Sequence, residues 1–327
     1  MNILVTGGAG YIGSHVVDEL KANGYTPIVF DNLSTGHRES VPNDVEFVFG
    51  DIHDVDLVAT ACLKYDIKAI IHFAASSLVG ESMQDPAKYY FNNVVGTFNL
   101  LEGMRKAGVN KIVFSSTAAV YGEPEKWPIE ENFKTQPTNT YGKTKLIIEN
   151  MMSDYTRAYG FNYVALRYFN AAGASMTRDI GEAHNPESHL IPLILKTAQG
   201  IRDRIAIFGT DYPTDDGTCI RDYIHVCDLA SAHVLSLQYL LDGGESDVFN
   251  LGTQQGFSVK QIINMAKDIT KLDFKVEEES RRPGDPAVLI ASSEKISQKL
   301  GWETNFSDVR NVVASAWKWH KNHPNGY

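Results

Sequence analysis

The first 170 residues alternate between two kinds of pattern. Short apolar runs, "NILVT", "PIVF", "VEFVF", "AIIHFA", "KIVFSS" and "YVALRYF", are separated by stretches with amphipathic helical spacing around 12–23, 54–65, 86–107 and 141–159. Short runs rich in Val, Ile and Phe predict strands buried on both faces, and helices between them predict parallel crossovers. The expected class is α/β, with a doubly wound parallel sheet whose ligands sit at the carboxyl ends of the strands. From about residue 171 the pattern turns irregular, with loops such as "GTDYPTDDGT" and "RRPGDP". Within 222–251 a helix, "VCDLASAHVLSLQYLL", and a strand, "DVFNLG", interrupt it and are expected to rejoin the sheet. The expected division is 1–170, joined by 222–251, and a smaller α/β substrate-binding domain made mainly from 171–327, with a cleft between the two.

Composition narrows the class without naming it. The 327 residues carry 30 Lys and Arg against 40 Asp and Glu, a formal charge of −10 that argues against a nucleic-acid surface. No apolar run approaches the roughly 20 residues of a membrane span, and "MNILVTGGAG" reads as a strand entering a glycine turn rather than a charged leader. The expectation is a cytoplasmic protein with no membrane partner. Its three cysteines fit neither zinc-site nor C-x-x-C spacing.

Chemistry enters with "LVTGGAGYIGSHVVDEL". Gly8, Gly10 and Gly13 satisfy G-x-G-x-x-G, and Gly7, Gly10 and Gly13 satisfy the variant G-x-x-G-x-x-G. Between a strand and a helix, such glycines let backbone N–H groups approach a pyrophosphate, here in the turn that holds Tyr11 and Ile12. The second run ends at Asp31, followed by Asn32. An acid about 20 residues past the glycines bonds ribose hydroxyls and repels a 2′-phosphate, so NAD is expected over NADP. Residues 1–170 are therefore read as a Rossmann-type NAD-binding domain. "GDI" sets Asp51 and Ile52 to flank the adenine, and "FAA" sets Phe73, Ala74 and Ala75 where small residues admit the pyrophosphate. Asn92, inside the helix at 86–107, fits either a cofactor contact or a solvent-facing position.

The fifth run ends in "FSSTAAVYG", which supplies Ser115, Ser116 and Thr117, and "YGKTK" sets Tyr141 and Lys145 one helical turn apart. A free phenol, with a pKa near 10, is a poor base at neutral pH. A neighbouring ammonium and the positive ring of an oxidised nicotinamide both favour phenolate. The expectation is a lowered Tyr141 pKa, with Tyr141 as base and Thr117 aligning a substrate hydroxyl.

Together these motifs resemble the extended short-chain dehydrogenase/reductase superfamily, and most closely its UDP-glucose (UDP-galactose) 4-epimerase family. The similarity runs nearly end to end, through "GGAGYIGSH", "DNLSTG", "LVGES", "NNVVGT", "FSSTAAVYG", "YGKTK", "LRYFNAAGA", "DGTCIRDYIHVCDLA", "FNLGT" and "RRPGDP". The resemblance implies an isomerase of nucleotide sugars that inverts carbon 4 of a UDP-hexose through a 4-keto sugar, with NAD retained as a prosthetic group. It implies Ser115 and Lys145 beside the cofactor, Phe169 on its nicotinamide side and Asn170 on the substrate. It also implies Ala206 and Phe208 around the uridine, and Arg221, Arg282 and Asp285 on the diphosphate and ribose. A 4,6-dehydratase would carry an acidic pair where this chain has Ala118 and Ala119. A UDP-uronate 4-epimerase or decarboxylase shares Tyr and Lys and stays open, whereas a non-catalytic NAD sensor would be expected to have lost one of them.

Several positions depart from the family pattern. His189–Leu190 stands where many epimerases have Asn-Leu, and both are still read as substrate contacts. Ser77 stands where some members place a lysine against the cofactor. Leu289 stands where some carry tyrosine, which leaves room for an N-acetyl group and implies UDP-GlcNAc/UDP-GalNAc as further substrates. No metal is expected, since His184 and His189 lie in a Pro-containing loop, His320 and His323 in a polar tail, and no H-E-x-x-H occurs. Apolar residues on more than one face of 141–159, with the resemblance, imply a homodimer joined through helices.

Overall fold

The computed structural model describes residues 1–282 and 285–327; positions 283 and 284 of "RRPGDP" lie outside the described residues. Six strands of the first 170 residues form where the apolar runs lie: β1 (Asn2–Thr6), β2 (Thr26–Asp31), β3 (Glu46–Phe49), β4 (Ile67–His72), β5 (Lys111–Ser115) and β6 (Asn162–Tyr168). A seventh, β7 (Asp247–Leu251), pairs in parallel with β6. The sheet order is β7-β6-β5-β4-β1-β2-β3, parallel throughout. Period-2 alternation explains the unbroken apolar runs. In β1, Ile3 and Val5 enter the core on one face of the sheet while Leu4 enters the core on the other. Successive strands run outward from β1 through β2 to β3, then restart at β4 on its other side, so the crevice of this Rossmann-type fold opens above β1 and β4.

The helical pattern at 86–107 is not one regular helix. It runs as Pro86–Tyr89, a π-helical turn Tyr90–Val95, and an α-helix Gly96–Ala107. The extra residue in the turn is accommodated by Asn93, fully buried, which accepts from Ser76 N at 2.8 Å and donates to Ser76 O at 3.0 Å.

The second lobe gathers helices Leu190–Ala198, Val259–Thr270 and Val309–Asn322 around its own core. Strand Ile205–Phe208 pairs in parallel with Val276–Glu279, and Ile220–Arg221 lies between Phe257–Ser258 and Val288–Leu289. The chain crosses between the lobes repeatedly. Helix Val226–Leu241 packs on the glycine-loop helix Tyr11–Ala22, and Ile296 and Trp302 return to the same core beneath the sheet. The Trp302 indole donates to Asp228 O at 3.0 Å. Among the described residues no helix is long and apolar enough to cross a membrane.

Candidate active site

The glycine turn leaves no space for side chains where it meets the strand ends. A β-carbon on Gly7, whose φ is +73°, would stand 2.6 Å from Ala74 N, and one on Gly13 would stand 2.2 Å from Gly7 O. Gly10 is the N-cap of helix Tyr11–Ala22 and offers no side-chain cap to its first turn. The N–H groups of Tyr11, Ile12 and Gly13 therefore face the crevice as donors without an intrahelical acceptor. Asp31, at the end of β2, is buried, with Oδ2 accepting from Ala9 N at 2.9 Å and Oδ1 from Leu33 N at 2.8 Å. Burial pushes its pKa up and the two N–H bonds pull it down. Each oxygen keeps a lone pair for a ribose hydroxyl. An uncapped helix start and a buried acid on the neighbouring strand end fit a dinucleotide.

Around this frame the other expected cofactor residues fall in different settings. Asn32 donates to Asp51 Oδ2 at 2.9 Å. Ile52 is buried and packs on Gly96, so its side chain belongs mainly to the core. Phe73 packs against His233, with ring centroids 4.7 Å apart, and Ala75 follows at the same strand end. Asn92 is half-buried and donates to Asn93 Oδ1 at 3.0 Å. Its neighbour Asn93, fixed to Ser76 and Thr144, anchors this segment instead.

Just past the end of β5, the Thr117 hydroxyl accepts from Ala119 N at 3.1 Å and stands near enough to the Tyr141 phenol to pull its pKa down. Lys145 is 3% exposed; its Nζ donates to Ser115 O at 2.7 Å and lies 4.7 Å from the Phe114 ring centroid. The Ser115 hydroxyl pairs with the Tyr168 phenol. Burial takes Lys145 down to about 7, with the Glu149 carboxylate opposing. The expected lowering of Tyr141 is not found in the chain's own groups. Burial pushes the phenol up to about 12, against the pull of the neighbouring Thr117 hydroxyl. Lys145 Nζ is drawn to the Ser115 carbonyl, 5.9 Å from the Tyr141 ring centroid, and does not offset that burial.

Sequence reasoning passed over Glu149, the next turn of the same helix. It accepts from Ser116 Oγ and from the Arg167 guanidinium in a buried pair, and Arg167 Nη1 donates to the Tyr121 hydroxyl at 2.8 Å. The signal available was the i, i+4 series Tyr141–Lys145–Glu149, with all three chemistries on one helix face.

The residues expected around a UDP-sugar are brought together on the second lobe. In Ile205–Phe208 the isoleucines are buried, and Ala206 and Phe208 are on the opposite, half-exposed face. The Arg282 guanidinium lies 3.8 Å from the Phe208 ring centroid. Arg221 Nη1 donates to Pro286 O at 2.9 Å, and its Nη2 is 3.6 Å from Asp285 Oδ1. Phe169 and Leu289 pack on one small cluster with Ala118 and Tyr121, and Asn170 opens the strand paired with Tyr223–His225. His189, the N-cap of the helix that begins at Leu190, does not hold its Nδ1 free for a sugar; that nitrogen is taken by Glu182. The sequence reading expects no metal at His184 and His189, and the fold brings both against Glu182 and Glu187 in one cluster. The loop folds back on itself, a closure that spacing alone does not encode.

The NAD dependent epimerase/dehydratase family model matches residues 3–252. The chain belongs to that family. Over its whole length it is 55% identical to the UDP-glucose 4-epimerase of Halalkalibacterium halodurans, with 100% of this chain and 98% of that one covered. The crystal structure of UDP-glucose 4-epimerase from Brucella ovis in complex with NAD resembles it with a TM-score of 0.95 at 48% identity, over 97% of each chain. The UDP-Glc/GlcNAc 4-epimerase of Campylobacter jejuni resembles it with a TM-score of 0.86 at 44% identity, over 98% of this chain and 99% of that one. The family's NAD dependence agrees with the uncapped glycine-loop helix and Asp31.

Proposed function

We propose that the chain interconverts UDP-glucose and UDP-galactose by inverting carbon 4 of the hexose through a 4-keto sugar, with NAD held as a resident group. The observation that carries this reading is the buried Tyr141 phenol beside the Thr117 hydroxyl at the carboxyl end of β5, with Lys145 pinned to Ser115 O one turn behind it. Bound NAD⁺ supplies the hydride acceptor and a positive ring beside the phenol. Tyr141 takes the proton of the 4-hydroxyl that Thr117 aligns as hydride leaves carbon 4, and gives a proton back to the 4-oxygen as hydride returns to the opposite face of that carbon, a role worth roughly 10²–10⁴-fold in rate. Lys145 holds ribose hydroxyls and favours the phenolate.

On the cofactor side, Gly7, Gly10, Tyr11, Ile12 and Gly13 take the pyrophosphate and Asp31 the adenosine ribose. Asn32, Asp51 and Ile52 flank the adenine, while Phe73, Ala74, Ala75, Asn92, Ser115 and Phe169 complete the contact. On the substrate side, Ala206 and Phe208 offer a flat apolar face to uracil. Arg221 and Arg282 suit the diphosphate, since guanidinium matches phosphate geometry, and Asp285 suits the ribose. Asn170 and Leu190 complete that side, while His189 is held away from it by Glu182. This division makes 1–170 with 222–251 the cofactor lobe, and most of 171–327 the sugar lobe.

Leu289, packed with Phe169, is smaller than the tyrosine some family members carry there, which supports turnover of UDP-GlcNAc and UDP-GalNAc as well. The UDP-Glc/GlcNAc enzyme of the same fold supports that breadth. The working unit is read as a homodimer, because Phe91, Val95, Phe98 and Ile147 are 60%, 41%, 45% and 39% exposed on adjacent helical segments. A single-chain mass by light scattering would sink that part.

The deciding assay gives the purified protein UDP-galactose, with no NAD added, and follows UDP-glucose through a coupled enzyme. Conversion is expected. Failure with cofactor binding demonstrated would overturn the substrate and turn attention to uronate sugars.

A further inference from the structure

The segment 181–189 is strapped against the glycine loop. The Tyr327 hydroxyl lies 3.1 Å from Gly181 N and 3.2 Å from Gly181 O, and the His37 ring bonds Ala183 O at 2.8 Å. The His184 ring stands edge-on to Tyr11, with centroids 6.2 Å apart. Within the strap, Glu182, His184, Glu187 and His189 each present one donor atom, all within 4.8 Å of one another. His184 Nδ1 is 3.1 Å from Glu182 Oε1 and 3.8 Å from Glu187 Oε1. His189 Nδ1 meets the same Glu182 oxygen. Both carboxylate side chains are only 3% exposed. Glu187 Oε1 accepts from the N–H groups of Ser188 and His189, at 2.8 and 3.0 Å. Its Oε2 is buried with no hydrogen-bond partner among the described residues. A carboxylate oxygen in that position forfeits its hydration with nothing in return.

We propose that Glu182, His184, Glu187 and His189 bind one divalent transition-metal ion, zinc by preference, as a structural site. Two imidazole nitrogens and two carboxylate oxygens without a thiolate form a donor set suited to zinc. With neutral imidazoles, the two carboxylates balance the +2 charge. Bonds of about 2.0–2.2 Å in a tetrahedral site place donors roughly 3.3–3.6 Å apart. The distances of 3.1 and 3.8 Å bracket that value, and the 4.8 Å outer limit leaves only small side-chain rotations to make. Four protein ligands close the coordination shell, which marks a structural ion rather than one that meets substrate. The partnerless Glu187 oxygen becomes a ligand, and the strap is tied to the helix that His189 caps.

The test uses the full-length protein without a polyhistidine tag, stripped with EDTA, loaded with zinc chloride, gel-filtered and assayed for metal by mass spectrometry. One zinc per chain is expected, with a higher unfolding midpoint by circular dichroism than in the stripped protein. Glu187→Gln keeps an oxygen for the backbone N–H bonds but loses the charged ligand. That variant and His184→Ala are each expected to lower zinc affinity at least tenfold. Absence of retained zinc in the unmodified chain, with an unchanged midpoint, overturns the site whether or not the variants fold. Undiminished retention in both folded variants does so as well, by putting the zinc elsewhere.

Discussion

Lys145 donates through Nζ to the main-chain carbonyl of Ser115 at 2.7 Å, which pins the ammonium to the end of β5 one helical turn from Tyr141. Held there, it is brought by burial down to about 7, within reach of neutral pH. A Lys145→Met variant removes the cation that favours phenolate. Its turnover should fall at least 100-fold, in the range of a lost acid–base partner. The acid limb of its pH–rate profile should move to higher pH. A fall in turnover with the limb unmoved, at equal NAD occupancy, would assign Lys145 to cofactor binding alone.

Tyr141→Phe deletes the proton acceptor and leaves the ring in place. Turnover is expected to drop by roughly 10²–10⁴-fold. UDP binding, measured by calorimetry, should stay within a factor of two or so, since no uridine contact is assigned to the phenol. Equal losses in both would make Tyr141 a structural residue.

Leu289→Tyr adds an aromatic ring beside Phe169 in the cluster with Ala118 and Tyr121. Turnover of UDP-GalNAc should fall about tenfold or more relative to UDP-galactose, a margin of about 1.4 kcal/mol that steric exclusion readily supplies. Unchanged selectivity in a variant that keeps its UDP-galactose activity would mean that the N-acetyl limit lies elsewhere.

Acid should destabilise the fold from just below neutrality. His72, between Thr6 Oγ1 at 2.7 Å and Thr97 Oγ1 at 3.0 Å, is brought by burial to about 3. His15 is brought by burial to about 3 and His233 to about 4, each against a helical carbonyl that pulls it up. The unfolded chain takes up these protons near 6.5 and the folded chain does not. The stability they confer is present above 6.5 and is lost as pH falls toward 3 to 4, by up to about 1.4 kcal/mol per histidine per pH unit. His225 and His320, brought by burial to about 4, act in the same direction, while Asp222, pushed up to about 6 by burial, and His184, held at about 10 against its burial by Glu182 and Glu187, oppose it. Denaturant midpoints at pH 7.5 and 5.5 should differ accordingly; equal midpoints would contradict the assignment.

Much of this architecture could be read before the fold was seen, because the decisive signals are local. Ile3, Leu4 and Val5 announce a strand buried on both sides, and Asp31 stands at a fixed interval past the glycines. Tyr141 and Lys145 need only one helical turn to meet. The features that escaped depend on closure in three dimensions. Asn93 rather than Asn92 turns inward because Ser76 and Thr144 wait for it across a loop. Trp302 rejoins the core of a sheet whose last strand ended some 50 residues earlier. The raised Tyr141 pKa depends on how much water the finished fold excludes, which no spacing records.

The repeated passage of the chain between its lobes has one further consequence. After β6 it leaves the sheet, returns through Tyr223–His225, leaves again beyond β7, and comes back at Trp302. Lobes stitched at several points resist opening like a book. On the proposed chemistry, the hexose then turns over inside a chamber of nearly constant size. Two sugars that fit equally well at rest can still differ in the volume they sweep while turning, and that swept volume, more than the fit of either end state, decides which of them is converted.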